Sequence, residues 1–391
     1  MSASSVPFAV QVGLEARDIL FRDKARIQKL LAGLHPHGPT ATASLLKANP
    51  PTSGNSIDVT DAGVTYTTQV GVGTPATNYT LLIDTGSSNT WIGADKAYTH
   101  TSTSVNTRKT VHVEYGSGQF TGTEYTDTVT LSPGLVIQHQ SIGVASQTQG
   151  FQDVDGILGI GPVDLTTSTV RGEKSVPTVT DNLFQQGTIA TESIGISYQP
   201  TTSAGNVANG ELSFGGVDSP RISGDVNYVP ITSTSPASNY WGIDQDLKYG
   251  DTTLLEGNAG IVDTGTTLLY IATDAFQKYQ KATGAKLDQN TGLLTITQAQ
   301  FDNLQSMFFV IGGVTYEFTA NAQIWPRALN STIGGVENKI YLVTVDMGQE
   351  SGSGLDFING FAFLQRFYSV YDTTNAQVGL ATTPFTDAET N

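Results

Sequence analysis

Apolar and polar positions change rhythm twice along the chain. Val6, Phe8, Val10 and Val12 alternate with other residues as in a half-buried strand. From roughly Glu15 to Leu31 the spacing becomes helical, with Ile19, Leu20, Ile27, Leu30 and Leu31 on one stripe. Gly33 and the Pro36–Pro39 stretch end that helix, and Pro50, Pro51, Ser53 and Gly54 read as an exposed linker.

Beyond residue 56 the pattern is short β-type runs between Gly, Thr, Ser and Asn turns. Strands are predicted over Val64–Val72, Tyr79–Ile83, Val111–Tyr115, Phe120–Leu131, Leu135–Val144, Trp241–Lys248 and Thr267–Ile271. Helices are few: Thr178–Gln186, Asp274–Thr283 capped near Thr273, Gln298–Met307 capped near Thr297, and a stretch around Phe361–Phe367. Large, mostly antiparallel sheets with small helices on their surface fit this pattern.

Charge divides the chain in the same place. Residues 1–55 carry six bases against three acids, whereas the other 336 residues carry 13 bases against 32 acids. A basic arm on an acidic body suggests a segment that docks by charge. An overall charge of −16 makes nucleic acid a poor partner, because counterion release needs Lys and Arg. With no Cys there are no disulfides, thiolate metal sites or thiol nucleophile. No run of 18 apolar residues provides a membrane span, and no basic region followed by an apolar core provides a secretory signal.

One motif occurs twice. Leu81-Leu82-Ile83-Asp84-Thr85-Gly86-Ser87-Ser88 returns 179 residues later as Gly260-Ile261-Val262-Asp263-Thr264-Gly265-Thr266-Thr267. A lone Asp-Thr-Gly is an ordinary turn tripeptide. Two of them, each after an apolar strand and before a hydroxyl pair, point to chemistry. Two carboxylates brought face to face at the ends of buried strands cannot easily both ionise. One proton is then shared, leaving one group as base and the other as acid, the behaviour for which aspartic proteases are the standard example. Gly86 and Gly265 let the backbone approach the carboxylates, and Ser87 and Thr266 can hold their outer oxygens. Thr85 and Thr264 are placed to tie the two loops together. Between Asp84 and Asp263 a water could hydrolyse an amide without a covalent intermediate.

Competing motifs are weaker. Gly71-Val72-Gly73-Thr74-Pro75-Ala76 loosely fits a dinucleotide loop, but Pro75 and the lack of a following helix oppose it. There is no H-E-x-x-H and no G-x-S-x-G; the five histidines are scattered, and neither a metal nor a cofactor is expected. Asn78-Tyr79-Thr80 and Asn330-Ser331-Thr332 are glycosylation sequons that matter if the chain is exported.

Over nearly its whole length the sequence resembles the pepsin-like aspartic proteases, in texture the cysteine-free polyporopepsin-like enzymes of wood-rotting fungi. Tyr115-Gly116-Ser117-Gly118 resembles the tip of the flap that closes over bound peptide, and Trp91 the Trp that hydrogen-bonds the flap Tyr. Asp155–Gly159 is similar to the segment behind the first active-site loop, and Phe367–Asp372 with Val378–Ala381 to the C-terminal hairpin. Phe357–Phe361 departs from the pattern in the second half, with Asn359 where Leu is usual, which predicts altered packing behind that loop.

The resemblance implies a mostly β, bilobal pepsin-like fold. It divides the chain into a prosegment (1–55), an N-terminal lobe (56–230) and a C-terminal lobe (231–391), with the cleft between the lobes. It implies an acid-activated aspartic endopeptidase made as a zymogen, working on extended polypeptides with large hydrophobic residues at the cleaved bond. Ile92, Phe120, Ile157 and Ile261 are the apolar candidates near the cleft. The implied prosegment lies across the cleft with a Lys beside the aspartates, for which Lys47 is the candidate. A monomeric, secreted (or vacuolar) enzyme blocked by pepstatin-like inhibitors completes the expectation. The rival reading is a catalytically silent binding or inhibitor protein of the same fold.

Overall fold

The computed structural model describes residues 16–32, 55–61, 66–115, 118–151, 153–203 and 207–390. The first described element is helix α1 (Ala16–Ala32), which buries Ala16, Ile19, Leu20, Asp23, Ile27 and Leu30 along one face. Most of these belong to the apolar stripe expected at helical spacing. Asp23 is the one charged residue among them, a carboxylate in the middle of the buried face.

The fold is mostly β and bilobal. Its largest sheet has 13 strands among the described residues, and a second has seven. Strand β1 (Asn55–Asp61) runs antiparallel to Val207–Phe214 and also meets β2 (Tyr66–Val72). The hairpin of Phe367–Asp372 and Gln377–Thr382 adds to the same large sheet beside Ser193–Tyr198, so the chain's end is built into its first half. This shared sheet is the base on which the two lobes stand.

The internal repeat is repeated in three dimensions. Strand β3 (Thr77–Asp84) ends on Asp84 and pairs in parallel with Gly156–Gly159, with Ile83 opposite Leu158 and Asp84 opposite Gly159. Strand Thr252–Val262 ends one residue before Asp263 and pairs in parallel with Phe357–Asn359, with Val262 opposite Asn359. Asn359 therefore takes the place of Leu158. It is fully buried, and its amide donates to Gln245 Oε1 at 2.9 Å, so a polar pair replaces an apolar contact behind the second loop.

Three local expectations are corrected. The helix predicted over Gln298–Met307 covers only Gln298–Phe301, opened by a Thr297–Gln300 capping box. Met307, Phe309 and Ile311 then bury alternately in a strand, so a period of two wins over helix propensity. The helix at Phe361 ends at Leu364, because Phe367–Asp372 is a strand buried on both faces. Thr273 lies inside its helix and does not cap it; its hydroxyl instead donates to Asp346 Oδ1 at 2.6 Å.

Candidate active site

Each Asp-Thr-Gly leaves a buried strand and turns at once, which places Asp84 and Asp263 fully buried at the meeting of the lobes. The two loops are locked to each other by reciprocal bonds: Thr85 N–H donates to Thr264 Oγ1 at 3.0 Å, and Thr264 N–H donates to Thr85 Oγ1 at 2.9 Å. Within each loop the carboxylate is fixed from two sides. Gly86 N–H reaches Asp84 Oδ1 at 3.0 Å and Ser87 Oγ reaches Asp84 Oδ2 at 2.5 Å. Likewise Gly265 N–H reaches Asp263 Oδ1 at 3.2 Å and Thr266 Oγ1 reaches Asp263 Oδ2 at 2.6 Å.

The glycines are needed for a further reason. A Cβ on Gly86 would lie 2.8 Å from Asp263 Oδ1, and one on Gly265 would lie 2.6 Å from Asp84 Oδ1. Each glycine thus makes room for the Arg26 guanidinium, which a Cβ would meet first, and for the carboxylate of the opposite lobe.

A single side chain spans the pair. Arg26 of α1 donates through Nε to Asp263 Oδ2 at 2.7 Å and through Nη2 to Asp263 Oδ1 at 2.9 Å. The same Nη2 is ion-paired with Asp84 Oδ1, and Nη1 lies 3.4 Å from Asp84 Oδ2. Burial by itself would raise the Asp263 carboxyl, but the Arg26 guanidinium and the hydroxyl of Thr266 more than offset it and hold the group below the ordinary range. The effect is reciprocal: burial disfavours the Arg26 cation, yet the two carboxylates raise its pKa well above normal.

One turn earlier, Asp23 accepts from the backbone N–H groups of Thr267 and Leu268, at 3.2 and 3.4 Å from its Oδ2. Its desolvation outweighs these bonds and pushes the carboxyl up to about 7. One turn later, Lys29 Nζ lies 5.2 Å from the centroid of the Tyr115 ring. Helix α1 therefore runs through the cleft, and three successive turns present Asp23, Arg26 and Lys29 to it.

A model of the eukaryotic aspartyl protease family matches residues 65–383. The chain belongs to that family. Polyporopepsin from Irpex lacteus is 62% identical over 339 residues, spanning 86% of this chain and 99% of that protein. Cathepsin E from Rattus norvegicus is 31% identical over 348 residues, spanning 81% of this chain and 79% of its own. The crystal structure of the aspartic proteinase from Irpex lacteus superimposes with a TM-score of 0.84 at 62% identity, covering 86% of this chain and 99% of that one. The chain is an aspartic-type endopeptidase, a hydrolase.

The hairpin of Val105–Glu114 and Gln119–Ser132, expected to be the flap, ends in a bridge from Tyr115 N–H to Gly118 O at 2.7 Å. Gly116 and Ser117 lie outside the described residues. Tyr115 and Trp91 are packed in one small core with Phe120, Ile157, Val111 and Val113. Trp91 stacks on Phe120 at 4.3 Å, and its ring lies 6.4 Å from that of Tyr115. The two rings are in contact, and a side-chain hydrogen bond from Trp91 also acts on the Tyr115 phenol. Trp91 only partly offsets the burial that raises the Tyr115 phenol well above its usual pKa. Of the apolar candidates, Phe120 and Ile157 belong to this flap cluster, whereas Ile92 and Ile261 belong to the main core.

Lys47 lies outside the described residues. The base at the carboxylates is Arg26, which the sequence pattern did not single out; nor did it single out Asp23. A signal was present: Asp23 interrupts the buried stripe between Leu20 and Ile27, and Arg26 sits at its edge. No group of three or more His, Asp or Glu able to hold a metal ion occurs among the described residues.

Proposed function

We propose that this protease is made as an inactive precursor in which residues 1–55 are the prosegment, 56–230 the N-terminal lobe and 231–391 the C-terminal lobe. Asp84 and Asp263 are the catalytic pair, positioned by Thr85, Gly86, Ser87, Thr264, Gly265 and Thr266. The observation that carries this reading is Arg26 spanning both carboxylates. A guanidinium that neutralises and fills the gap between two buried acids leaves no room for the reacting water.

With α1 removed, the two carboxyls repel and hold one proton between them. The ionised one takes a proton from water as its oxygen attacks the peptide carbonyl carbon. The protonated one gives its proton to the carbonyl oxygen, forming a neutral gem-diol. In its collapse the carboxyl that took the water's proton gives it to the departing nitrogen, the other carboxylate takes a proton from a gem-diol hydroxyl, and the C–N bond breaks as the carbonyl re-forms. Tyr115 and the flap cover the reacting bond and keep water out, with Trp91 and Phe120 as the support beneath.

Acid drives removal of the prosegment, because the Arg26–Asp263 attraction fades as the carboxylates protonate. Cleavage falls in the Pro51–Asp58 window. Strand β1 begins at Asn55 and is paired from there with Phe214 and Ser213, which favours the N-terminal end of that window. Substrates are extended polypeptides with large hydrophobic residues at the cleaved bond, pepstatin-like compounds inhibit, and the enzyme acts as a secreted monomer. No described helix is long and apolar enough to cross a membrane.

The direct test is digestion of a denatured protein after acid treatment by wild type, Asp84→Asn and Asp263→Asn. Each variant should lose at least about a thousandfold in kcat/KM, the scale expected when an acid or base partner is removed. Full activity in either variant would remove that residue from the catalytic pair.

A further inference from the structure

On the far side of Arg26, α1 does not fill the cleft. A cavity of about 210 Å³ remains between the helix and the flap, lined by Lys29, Val113, Glu114, Tyr115, Leu165 and Tyr240 among others. Its walls are mixed: apolar side chains at the base and a carboxylate on the flap strand. Helix α1 contributes Arg26, Lys29 and Leu30 to its lining.

Resting on the reading of α1 as a prosegment in the substrate cleft, we propose that this part of the cleft is a subsite for a cationic side chain of the peptide substrate. The ammonium is taken by the Tyr115 ring face and the Glu114 carboxylate, and the aliphatic stem lies on Val113 and Leu165. Lys29 shows that the geometry is feasible, with its Nζ 5.2 Å from the ring centroid. Long basic side chains commonly bury their methylenes in this way while keeping the charge at a polar edge.

The charges around Lys29 also favour a cation here. Burial and the neighbouring Arg26 lower its pKa to about 8, whereas Asp84 and Glu114 act to keep it charged. When the prosegment leaves, Arg26 leaves with it, and both carboxylates stay. The emptied subsite is therefore more favourable to a cation than the one Lys29 occupies. One group works against this: His112, whose Nε2 lies 3.3 Å from Glu114 Oε1, competes for that carboxylate when protonated. Its other nitrogen contacts Thr121 Oγ1 at 2.9 Å, so the ring is held beside Glu114.

The test uses the acid-processed enzyme and one peptide scaffold, with lysine or uncharged norleucine placed in turn at each position from two before to three after the cleaved bond. At one position the lysine to norleucine ratio of kcat/KM should exceed that at the others. Glu114→Gln should lower this ratio roughly fivefold, as expected for an exposed charge acting over one contact. The ratio should also fall as salt is added. If norleucine peptides are cleaved but the ratio is the same in Glu114→Gln at every position, the cationic subsite is overturned and the protease reading stands. If wild type cleaves neither series, both fall.

Discussion

Asp23 and Arg26 stand three residues apart on the buried face of α1 and answer acid in opposite directions. Arg26 holds Asp263 below the ordinary carboxylate range, so their attraction is fully present above that range and is lost as pH falls through the lowered value. Asp23 has its docked pKa raised from 3.8 to about 7, so its contribution is fully present below 3.8 and is lost as pH rises through about 7. The helix is thus loosened from both ends of the scale and held best in mild acid.

Replacing Asp23 by Asn removes the upper arm of that balance. The amide can still accept from Thr267 and Leu268 but carries no charge to desolvate. The Asp23→Asn precursor should resist added protease at pH 7 to 8 better than wild type, while its release below pH 4 is unchanged. Limited proteolysis across pH reads this directly, and equal resistance of the two chains at pH 7 to 8 would refute it.

Arg26→Ala leaves two buried carboxylates facing each other with no cation, a change that typically costs about 3–5 kcal/mol. Helix α1 should then detach well above the wild-type pH, giving a chain that trims itself near neutrality. Arg26→Lys should fall between, since an ammonium cannot make the forked contacts of a guanidinium. The pH midpoint of processing, measured by mass, orders the three chains.

Gly86→Ala tests the cross-lobe fit. Its Cβ would stand 2.8 Å from Asp263 Oδ1, so the carboxylates must move apart or tilt. Activity should fall by about a hundredfold or more, in line with small misplacements of reacting groups. The melting temperature of the processed enzyme reports whether the fold itself is retained.

Stability should also be greatest in acid. Burial raises the Glu124 carboxyl from 4.5 to about 7, in spite of the Ser141 hydroxyl that favours its charged form. Glu192 is raised by burial and by Asp181, and Glu211 by burial and Asp218. Groups raised on folding stabilise below their unfolded pKa and cease to as pH climbs through the folded value. Thermal unfolding should therefore shift to lower temperature between pH 5 and 8, and Glu124→Gln should flatten that slope.

The two glycosylation sequons are not equivalent. Asn78 is exposed on β3, whereas Asn330 is buried and its amide donates to the carbonyls of Val336 at 3.0 Å and Lys339 at 2.8 Å. A glycan on Asn330 would break this network. Chain secreted from a eukaryotic host should carry removable glycan that disappears in Asn78→Gln and is unaffected by Asn330→Gln, as read by intact mass.

Much of this molecule was legible in its sequence because the signals were local. The paired Asp-Thr-Gly segments, their apolar strands and their hydroxyl followers all lie within eight residues, and α1 announced itself by spacing alone. Less was legible where partners are distant. Arg26 meets Asp263 across 237 residues, and nothing in the charge pattern separates it from Arg22 or Lys24. Helix ends at Phe301 and Leu364 were set by strands that start a few residues later and draw their burial from sheets built by remote parts of the chain. Likewise, Asn359 reads as a defect until Gln245 is found opposite it.

The central claim is tested most directly by intact mass while the purified chain is taken stepwise from about pH 4 to about pH 2, through and below the ordinary carboxylate range, with Asp84→Asn run alongside. Wild type should lose roughly the first 50 residues, and Asp84→Asn should keep its full length under the same treatment. A wild-type chain that stays whole and inert, or an Asp84→Asn chain trimmed as fast as wild type, would contradict the account.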